Sequence, residues 1–557
     1  MNPSARGRLH TFLTRQCLVR ELPRAHRQLA PRLFSPQRAF FRIIPLDRSS
    51  RSKFVCAALV AGVAVFTPLI FCSAAAYAEA PEENGLPKIR LIRLSEVRKH
   101  DGNSESPWVT RGTRVYDITE WVPNHPGGEV ILQAAGGSID EYWKIFTIHN
   151  KQDIYAILEQ YLIGEVDPRD LVDGKIPAES VDNPFQNDPA RDERLLVHTA
   201  QPCNAEPPPS ALASFITSNQ LFYVRNHLWV PDIDLDAYRL VVELSDGATK
   251  EYSLCDLREK FTADTVTVTL QCAGNRRHMT EGCRPTSGLQ WDIGAISTAE
   301  FKGAKLRDVL ADAGFPVDDW DPDDKHVEFV GSEAYAASIP VHKAVDRRGD
   351  VILAYEMNGQ PIPRDHGFPV RAIVPGHVAA RSVKWLRRVV VGSEESYSQW
   401  QRRDYKCFGP NEEADWDRAT SIQEMPVQSA VAAIRPFSSY SAEEQQELKR
   451  RGVPEDRVIV QGYAYSGGGR EITRVDVSVD DGRSWRRAEL LAAEAKGHQA
   501  WAWKQWLVAV PRDAGEWVMV KAVDEAYNSQ PESHAGIWNV RGCLASAWHR
   551  IKLSWSD

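Results

Sequence analysis

Near the C-terminus Val475, Val477 and Val479 interleave with Asp476, Ser478 and Asp480, and Asp481-Gly482 follows. Side chains on a strand point alternately to opposite faces, so this period of two predicts a strand with one buried face, and Asp-Gly predicts a tight hairpin turn. Trp501/Trp503 and Val518/Val520 continue the period, and short strands with turn signals after residue 425 predict an antiparallel β-sandwich. The region from about 196 to 415 reads as mixed α/β. Thr265 to Leu270 alternates as a strand, whereas Leu306, Val309 and Leu310 fall at helical spacing within Ala304 to Ala313. Residues 88 to 166 mix strands with short amphipathic pieces and predict a compact unit. Between about 167 and 195 the chain turns polar, acidic and Pro-rich, a composition that cannot bury a core and predicts a flexible linker. No internal repeat is evident.

The N-terminal pattern differs in kind. Residues 1 to 53 hold twelve Lys/Arg, eleven of them Arg, against Glu21 and Asp47, which is the composition of a mitochondrial transit peptide. Phe54 to Ala78 is an apolar run broken only by Gly62, Thr67, Pro68, Ser73 and Tyr77, long enough for a bilayer, which needs roughly 20 apolar residues. Together with Ser73-Ala-Ala-Ala76 these segments, within residues 1–79, read as a two-part signal addressed to the mitochondrial intermembrane space; a retained anchor is the competing reading. Removing the +10 of the basic segment from the whole-chain −8 leaves about −18, an acidic surface that attracts a cationic partner and repels nucleic acid. At 557 residues and 43% hydrophobic content, the chain suffices for three or four domains of roughly 100–200 residues each. None of its nine cysteines forms a Cys-x-x-Cys pair, so neither a zinc ribbon nor a c-type haem attachment is indicated.

Two local patterns carry chemistry. His125-Pro-Gly-Gly128 follows the strand-like Arg114 to Ile118, and His149 ends the helix-like Glu141 to Ile148. Proline fixes the backbone beside His125, and glycine lets the chain approach a flat ligand closely. Tyr142 and Ile145 lie seven and four residues before His149, so helical geometry puts them on its face, lining a cleft. The second pattern is Leu-Gln-Cys272-Ala-Gly-Asn-Arg-Arg277, where a cysteine at a strand end meets a Gly-Asn turn and two guanidiniums. Arginine lowers a neighbouring thiol's pKa, and thiolate sulfur suits soft or high-valent metals. A buried structural thiol is the alternative.

Several segments resemble the sulfite oxidase family of molybdenum enzymes, in the family's order. They are Phe-Tyr-Val-Arg225-Asn226-His227, the Cys272 segment, Ala-Tyr-Glu-Met-Asn-Gly-Gln-Pro, Arg364-Asp-His366-Gly-Phe-Pro-Val-Arg371 and Trp400-Gln-Arg-Arg-Asp-Tyr405-Lys. The His125/His149 segment, with Val-Tyr-Asp-Ile-Thr and Ala-Ala-Gly-Gly137, is similar to the cytochrome b5 family. The resemblance implies an α+β multidomain chain: a cytochrome b5-like haem domain at 88–166, the linker at 167–195, a mixed α/β molybdopterin-binding catalytic domain at 196–415, and an immunoglobulin-like β-sandwich at 416–557 serving homodimerisation.

It also implies b-type haem with His125 and His149 as iron ligands. With both axial positions filled, such iron transfers electrons and has no open site for oxygen chemistry. Molybdenum would be held by a pterin dithiolene and by Cys272 as its protein ligand. Pterin contacts map onto Tyr223, Val224, Arg225, Asn226, His227, His366, Arg371, Ser382, Val383 and Lys384, and a pocket for sulfite and its sulfate product onto Arg225, Arg277, Trp291, Tyr405 and Arg541. The implied activity is oxidation of sulfite to sulfate, with single electrons passing through the haem to cytochrome c. One departure stands out: the family often has a longer acidic insert before Ala-Tyr-x-Ala-Ser-Ile-Pro, and here only Gly331-Ser-Glu333-Ala-Tyr335 is present. An aspartate that contacts the pterin in relatives has no clear counterpart; Glu333 is the nearby carboxylate that could substitute, and it is not assigned to the site. His377 stands where relatives carry an aliphatic residue and reads as a local variation. The rival readings are a nitrate reductase relative and a haem-binding sensor without catalysis. The first predicts a haem domain after the sandwich followed by a flavin and nicotinamide domain; the second predicts loss of Cys272 or of the arginines. Neither pattern is found in this chain.

Overall fold

The computed structural model describes residues 89–125, 128–145, 149–177, 183–333, 335–491, 498–513 and 515–553. The basic and apolar segments within 1–79 lie outside them.

The N-terminal region is built on a four-stranded sheet ordered Leu91–Ile92, Leu162–Val166, Arg114–Asp117, Trp108–Arg111. Strand alternation splits its apolar residues between two faces. Val109 and Tyr116 join Ile118, Ile139 and Leu158 on one side, while Trp108 and Val115 join Ile92, Val97 and Val166 on the other. The helix expected over Glu141 to Ile148 is present as Asp140–Ile145. Residues 146–148 lie outside the described residues, and Trp143 stacks on His149, with ring centroids 5.1 Å apart. The Tyr142 ring meets Trp229 instead.

Parts of the connecting segment pack against their neighbours. Leu171 and Ile176 pack onto the N-terminal core, and Val172 bridges Lys175. Phe185 is buried beside Leu228 and Trp229, and Leu195 is buried with Cys203, Ala205 and Val224. Within the described parts of the expected linker 167–195, a few apolar residues and Arg191 pack onto neighbouring regions.

The central region carries two five-stranded sheets. One joins Ala263–Gln271, Ile296–Lys305, Ile352–Met357 and Gln360–Pro361, with Arg371–Ile373 paired to the third. The other runs Ala336–Pro340, His326–Gly331, Leu386–Gly392, Leu240–Glu243, Thr249–Tyr252. Ala263–Gln271 is paired with Ile296–Lys305 along its whole length, which rigidly delivers Cys272 at its end. The helix runs Leu306–Asp312, and Leu306, Val309 and Leu310 are all fully buried, as their spacing requires; Ala304 still belongs to the preceding strand.

The C-terminal region is the expected sandwich. One sheet is ordered Gln428–Pro436, Arg457–Tyr465, Lys504–Pro511, Glu489–Leu490; the other Arg486–Arg487, Ile472–Ser478, Trp517–Asp524, His549–Lys552. Val475, Val477, Val518 and Val520 fill the layer between them. Asp481 and Gly482 both have positive φ, 58° and 80°, but they lie in a longer connection than the tight hairpin expected, since Val477 pairs with Arg486. Trp501 and Trp503 are the exception to the period-two reading. They precede the strand that starts at Lys504 and pack into the central cores, Trp501 in the cluster that holds Cys272. The cause is backbone pairing with Thr269, whose N–H donates to Trp501 O at 2.9 Å and whose Oγ1 accepts from Trp503 N at 2.8 Å.

Candidate active site

Cys272 lies just past the strand Ala263–Gln271, 6% exposed, at a cavity enclosing about 640 Å³, part of it open to solvent. Its backbone is held by Cys272 N–H to Ala295 O at 2.9 Å and Asn275 N–H to Cys272 O at 3.0 Å. Gly274 N–H donates to the Cys272 sulfur at 3.5 Å. Glycine is required here, since a Cβ would come within 2.6 Å of the Arg277 guanidinium.

Of the residues singled out from sequence, Tyr223, Arg225, His227, Cys272, His366, Arg371, Ser382, Val383, Lys384 and Tyr405 line this cavity. Val224 and Asn226 lie behind its wall: Val224 pairs with Ala205 in a small sheet, and fully buried Asn226 donates to Asp365 Oδ1 at 3.0 Å. Arg277, Trp291 and Arg541 do not reach it. Arg277 spends its guanidinium on Arg541 O at 2.8 Å and Leu289 O at 2.6 Å, tying the Cys272 loop to the C-terminal region. Trp291 is buried in the same apolar cluster as Cys272, edge to face with His198. The Arg541 guanidinium pairs with Asp404, the neighbour of Tyr405, and donates to Ser287 Oγ at 3.1 Å.

The cavity concentrates positive charge in a dry setting. Arg225 donates to Asn226 O at 2.6 Å and to Asn204 Oδ1 at 3.1 Å. Burial opposes its charge, but the neighbouring Tyr405, Cys272 and Asp404 outweigh this and raise its pKa. Burial pushes Arg371 down to about 10 and Lys384 down to about 7. Arg371 is braced on His366 O and Ser382 O at 2.9 and 2.8 Å, and its Nε has no hydrogen-bond partner. Lys384 donates to Asp365 O at 2.8 Å and to Asn226 Oδ1. His227 Nε2 lies 2.9 Å from the Tyr405 hydroxyl; burial, with Arg225 and Lys384 nearby, holds this imidazole well below the usual range, so it is neutral. Burial raises the Tyr405 pKa and keeps the phenol protonated.

Glu333, Tyr335 and Asp365 also line the cavity, and sequence reasoning had not assigned them. Tyr335 stacks on His227 at 4.6 Å and donates to Ala380 O at 2.9 Å. Asp365 sits inside a quoted motif, beside His366, and that adjacency was the available signal. Glu333 falls in the segment where the chain departs from its relatives, and the family aspartate missing there was the available signal. Its carboxyl is buried, one oxygen lacks a hydrogen-bond partner, and desolvation pushes its pKa up to about 8.

The donor set fits a molybdenum pterin. A soft sulfur sits at the wall, two guanidiniums and the Lys384 amine stand ready for a phosphate and for anionic substrate, and two buried polar atoms, Arg371 Nε and one Glu333 oxygen, await partners. In the N-terminal region the His125 and His149 rings lie 6.1 Å apart and within 10° of parallel. That separation leaves room for a metal ion held by two metal–nitrogen bonds of roughly 2 Å each.

Known proteins with the same features settle the family. The model of the oxidoreductase molybdopterin binding domain matches residues 227–400, that of the Mo-co oxidoreductase dimerisation domain residues 419–556, and that of the cytochrome b5-like haem/steroid binding domain residues 93–167. Sulfite oxidase of Gallus gallus is 48% identical over 83% of this chain and all of its own length. The chain belongs to the sulfite oxidase family. The mitochondrial sulfite oxidase of Homo sapiens is 46% identical over 83% of this chain and 84% of its own. The sulfane dehydrogenase SoxCD of Paracoccus pantotrophus shares the fold, with a TM-score of 0.52 and 24% identity, over 66% of this chain and 91% of that one. As a sulfite oxidase family member the chain is an oxidoreductase with a molybdopterin-binding domain and a haem-binding domain.

Proposed function

We propose that this protein oxidises sulfite to sulfate at the Cys272 cavity and passes the electrons singly to a haem between His125 and His149. The observation that carries the reading is a buried thiol facing Arg225, Arg371 and Lys384 in one cavity. Molybdenum bound there through a pterin dithiolene and Cys272 would supply a two-electron acceptor that transfers oxygen to sulfur.

The protein's own groups bind and orient. Arg371 and Lys384 hold the cofactor's anionic and polar edges, helped by Ser382, His366 and the Tyr223 ring. Arg225 receives the sulfite anion through charge-assisted bonds, which are about twice as strong as neutral ones. Tyr405, a neutral phenol, donates to the anion while neutral His227 donates Nε2–H to the phenol oxygen. Arg541 acts through Asp404 to position Tyr405, and Arg277 braces the loop that carries Cys272. The walls formed by Tyr335, Phe222 and Trp385 limit water and so strengthen these interactions.

We further propose that cytochrome c takes the electrons from the haem, drawn to the acidic surface, that the C-terminal sandwich pairs two copies of the chain, and that residues 1–79 direct the protein to the mitochondrion and its intermembrane space. The reading is tested on purified protein assayed for molybdenum, pterin and haem. Addition of sulfite under anaerobic conditions is expected to reduce the haem spectrum. A fully loaded protein whose haem stays oxidised in excess sulfite would refute it.

A further inference from the structure

The N-terminal region and the cavity-bearing region meet at an aromatic contact that belongs to neither site. Tyr142, on the helix Asp140–Ile145, and Trp229 stand edge to face with ring centroids 5.5 Å apart and planes at 89°. Such T-shaped pairs gain beyond the area they bury, because the positive ring edge meets the negative face. Trp229 is buried with Leu228 and with Phe185 of the connecting segment, so all three parts of the chain converge there. Tyr142 also packs on the core of its own region, and its hydroxyl donates to Gln133 O at 3.0 Å.

The sequence neighbours of these two rings give the contact its meaning. Trp143, next to Tyr142, stacks on His149. Two residues before Trp229 is His227, which lines the cavity and bonds Tyr405. The Tyr142–Trp229 contact therefore joins the cavity wall to a haem-ligand candidate through packed side chains and two short peptide segments.

We propose that the Tyr142–Trp229 contact is the internal docking site through which single electrons leave the cavity for the haem. The inference rests on the function proposed above. A haem held by His125 and His149 would supply a one-electron acceptor and a metal centre held by Cys272 the donor, so each transfer would move one electron with no bond made or broken.

The test uses the full-length holoenzyme with Tyr142→Ala, Trp229→Ala and Trp229→Phe. Neither residue lines the cavity, so sulfite-dependent reduction of a small artificial oxidant at the molybdenum site stays unchanged. Haem reduction by sulfite is expected to slow about threefold to tenfold in each alanine variant, the loss of one aromatic pair, and to recover in Trp229→Phe. X-ray scattering, which needs no turnover, is expected to show a wider distance distribution in both alanine variants. Tyr142 is only partly buried, so its variant keeps the test decisive if Trp229→Ala folds poorly. Wild-type haem reduction and unaltered scattering in the alanine variants would overturn the docking site. If wild-type protein reduced neither acceptor, the function would fail, and scattering alone would still decide the contact.

Discussion

Arg191 and Asp365, 174 residues apart, form a two-armed ion pair with bonds of 2.8 and 2.9 Å. Arg191 comes from the connecting segment, and Asp365 lines the cavity. The same carboxylate accepts from Asn226, and its backbone oxygen accepts from Lys384, so the segment that follows the haem-side region braces the cavity's cationic wall. Burial opposes the Asp365 charge, but Arg191 and Lys384 outweigh it and hold the carboxyl below the ordinary range. Arg191→Gln would leave that carboxylate buried and short of a partner, at a cost of about 3 kcal/mol. Urea unfolding should record the loss, and pterin should dissociate faster from the variant than from the parent. Equal stability and equal pterin release would confine Arg191 to the surface.

Cys272→Ser should lower sulfite turnover by more than about 100-fold while the haem spectrum is untouched, because a hydroxyl is a poor substitute for thiolate on a soft metal site. Parallel assays of turnover and of haem absorbance check this. Near-wild-type turnover would remove Cys272 from the metal.

Arg225 and Arg541 should behave differently, although sequence placed both at the substrate. Arg225→Gln deletes a charge-assisted bond of about 1.5–3 kcal/mol to the anion, so kcat/KM should fall roughly 10- to 150-fold with a raised sulfite KM. Arg541→Met acts through Asp404 on Tyr405 and should lower kcat more than it raises KM. Steady-state kinetics across sulfite concentration separates the two; matching KM increases would return Arg541 to direct contact.

Glu333 makes stability pH-dependent. Its pKa is 4.5 ordinarily and about 8 in the fold, so between these values the unfolded chain has lost the proton and the native state retains it. Stability contributed by this group therefore falls as pH rises across that window and levels off above it. Glu333→Gln removes the titration. The variant should match the parent near pH 4.5 and exceed it increasingly toward pH 8, as read from urea midpoints. A pH-independent difference would mean that Glu333 is ionised in the native protein.

Much of the site was legible because short-range pattern encodes it. Cys272 sits at the end of an alternating strand, His125 and His149 lie in recognisable segments, and Arg371, Ser382 and Lys384 fall within motifs, so their placement follows from local structure and family resemblance. The burial of Glu333 was not legible, since a buried carboxyl with an unpartnered oxygen is a property of its surroundings. The partners of Arg277 were not legible for a related reason: the carbonyls of Leu289 and Arg541 that accept from its guanidinium come from distant parts of the chain.

By itself the sequence determined the order of the regions, the strands with one buried face, the β-sandwich and the identity of the thiol and imidazoles that can bind metals. These depend on periodicity and on chemical type, which neighbours along the chain express directly. Only the tertiary structure decided which of the cations face the cavity, that Trp501 and Trp503 leave the sandwich for the central cores, that Phe185 and Arg191 anchor the connecting segment, and that Tyr142 turns to Trp229. Each of those outcomes is a contact between residues distant in sequence, where burial and hydrogen-bond partners supplied by another part of the chain override what composition and spacing suggest.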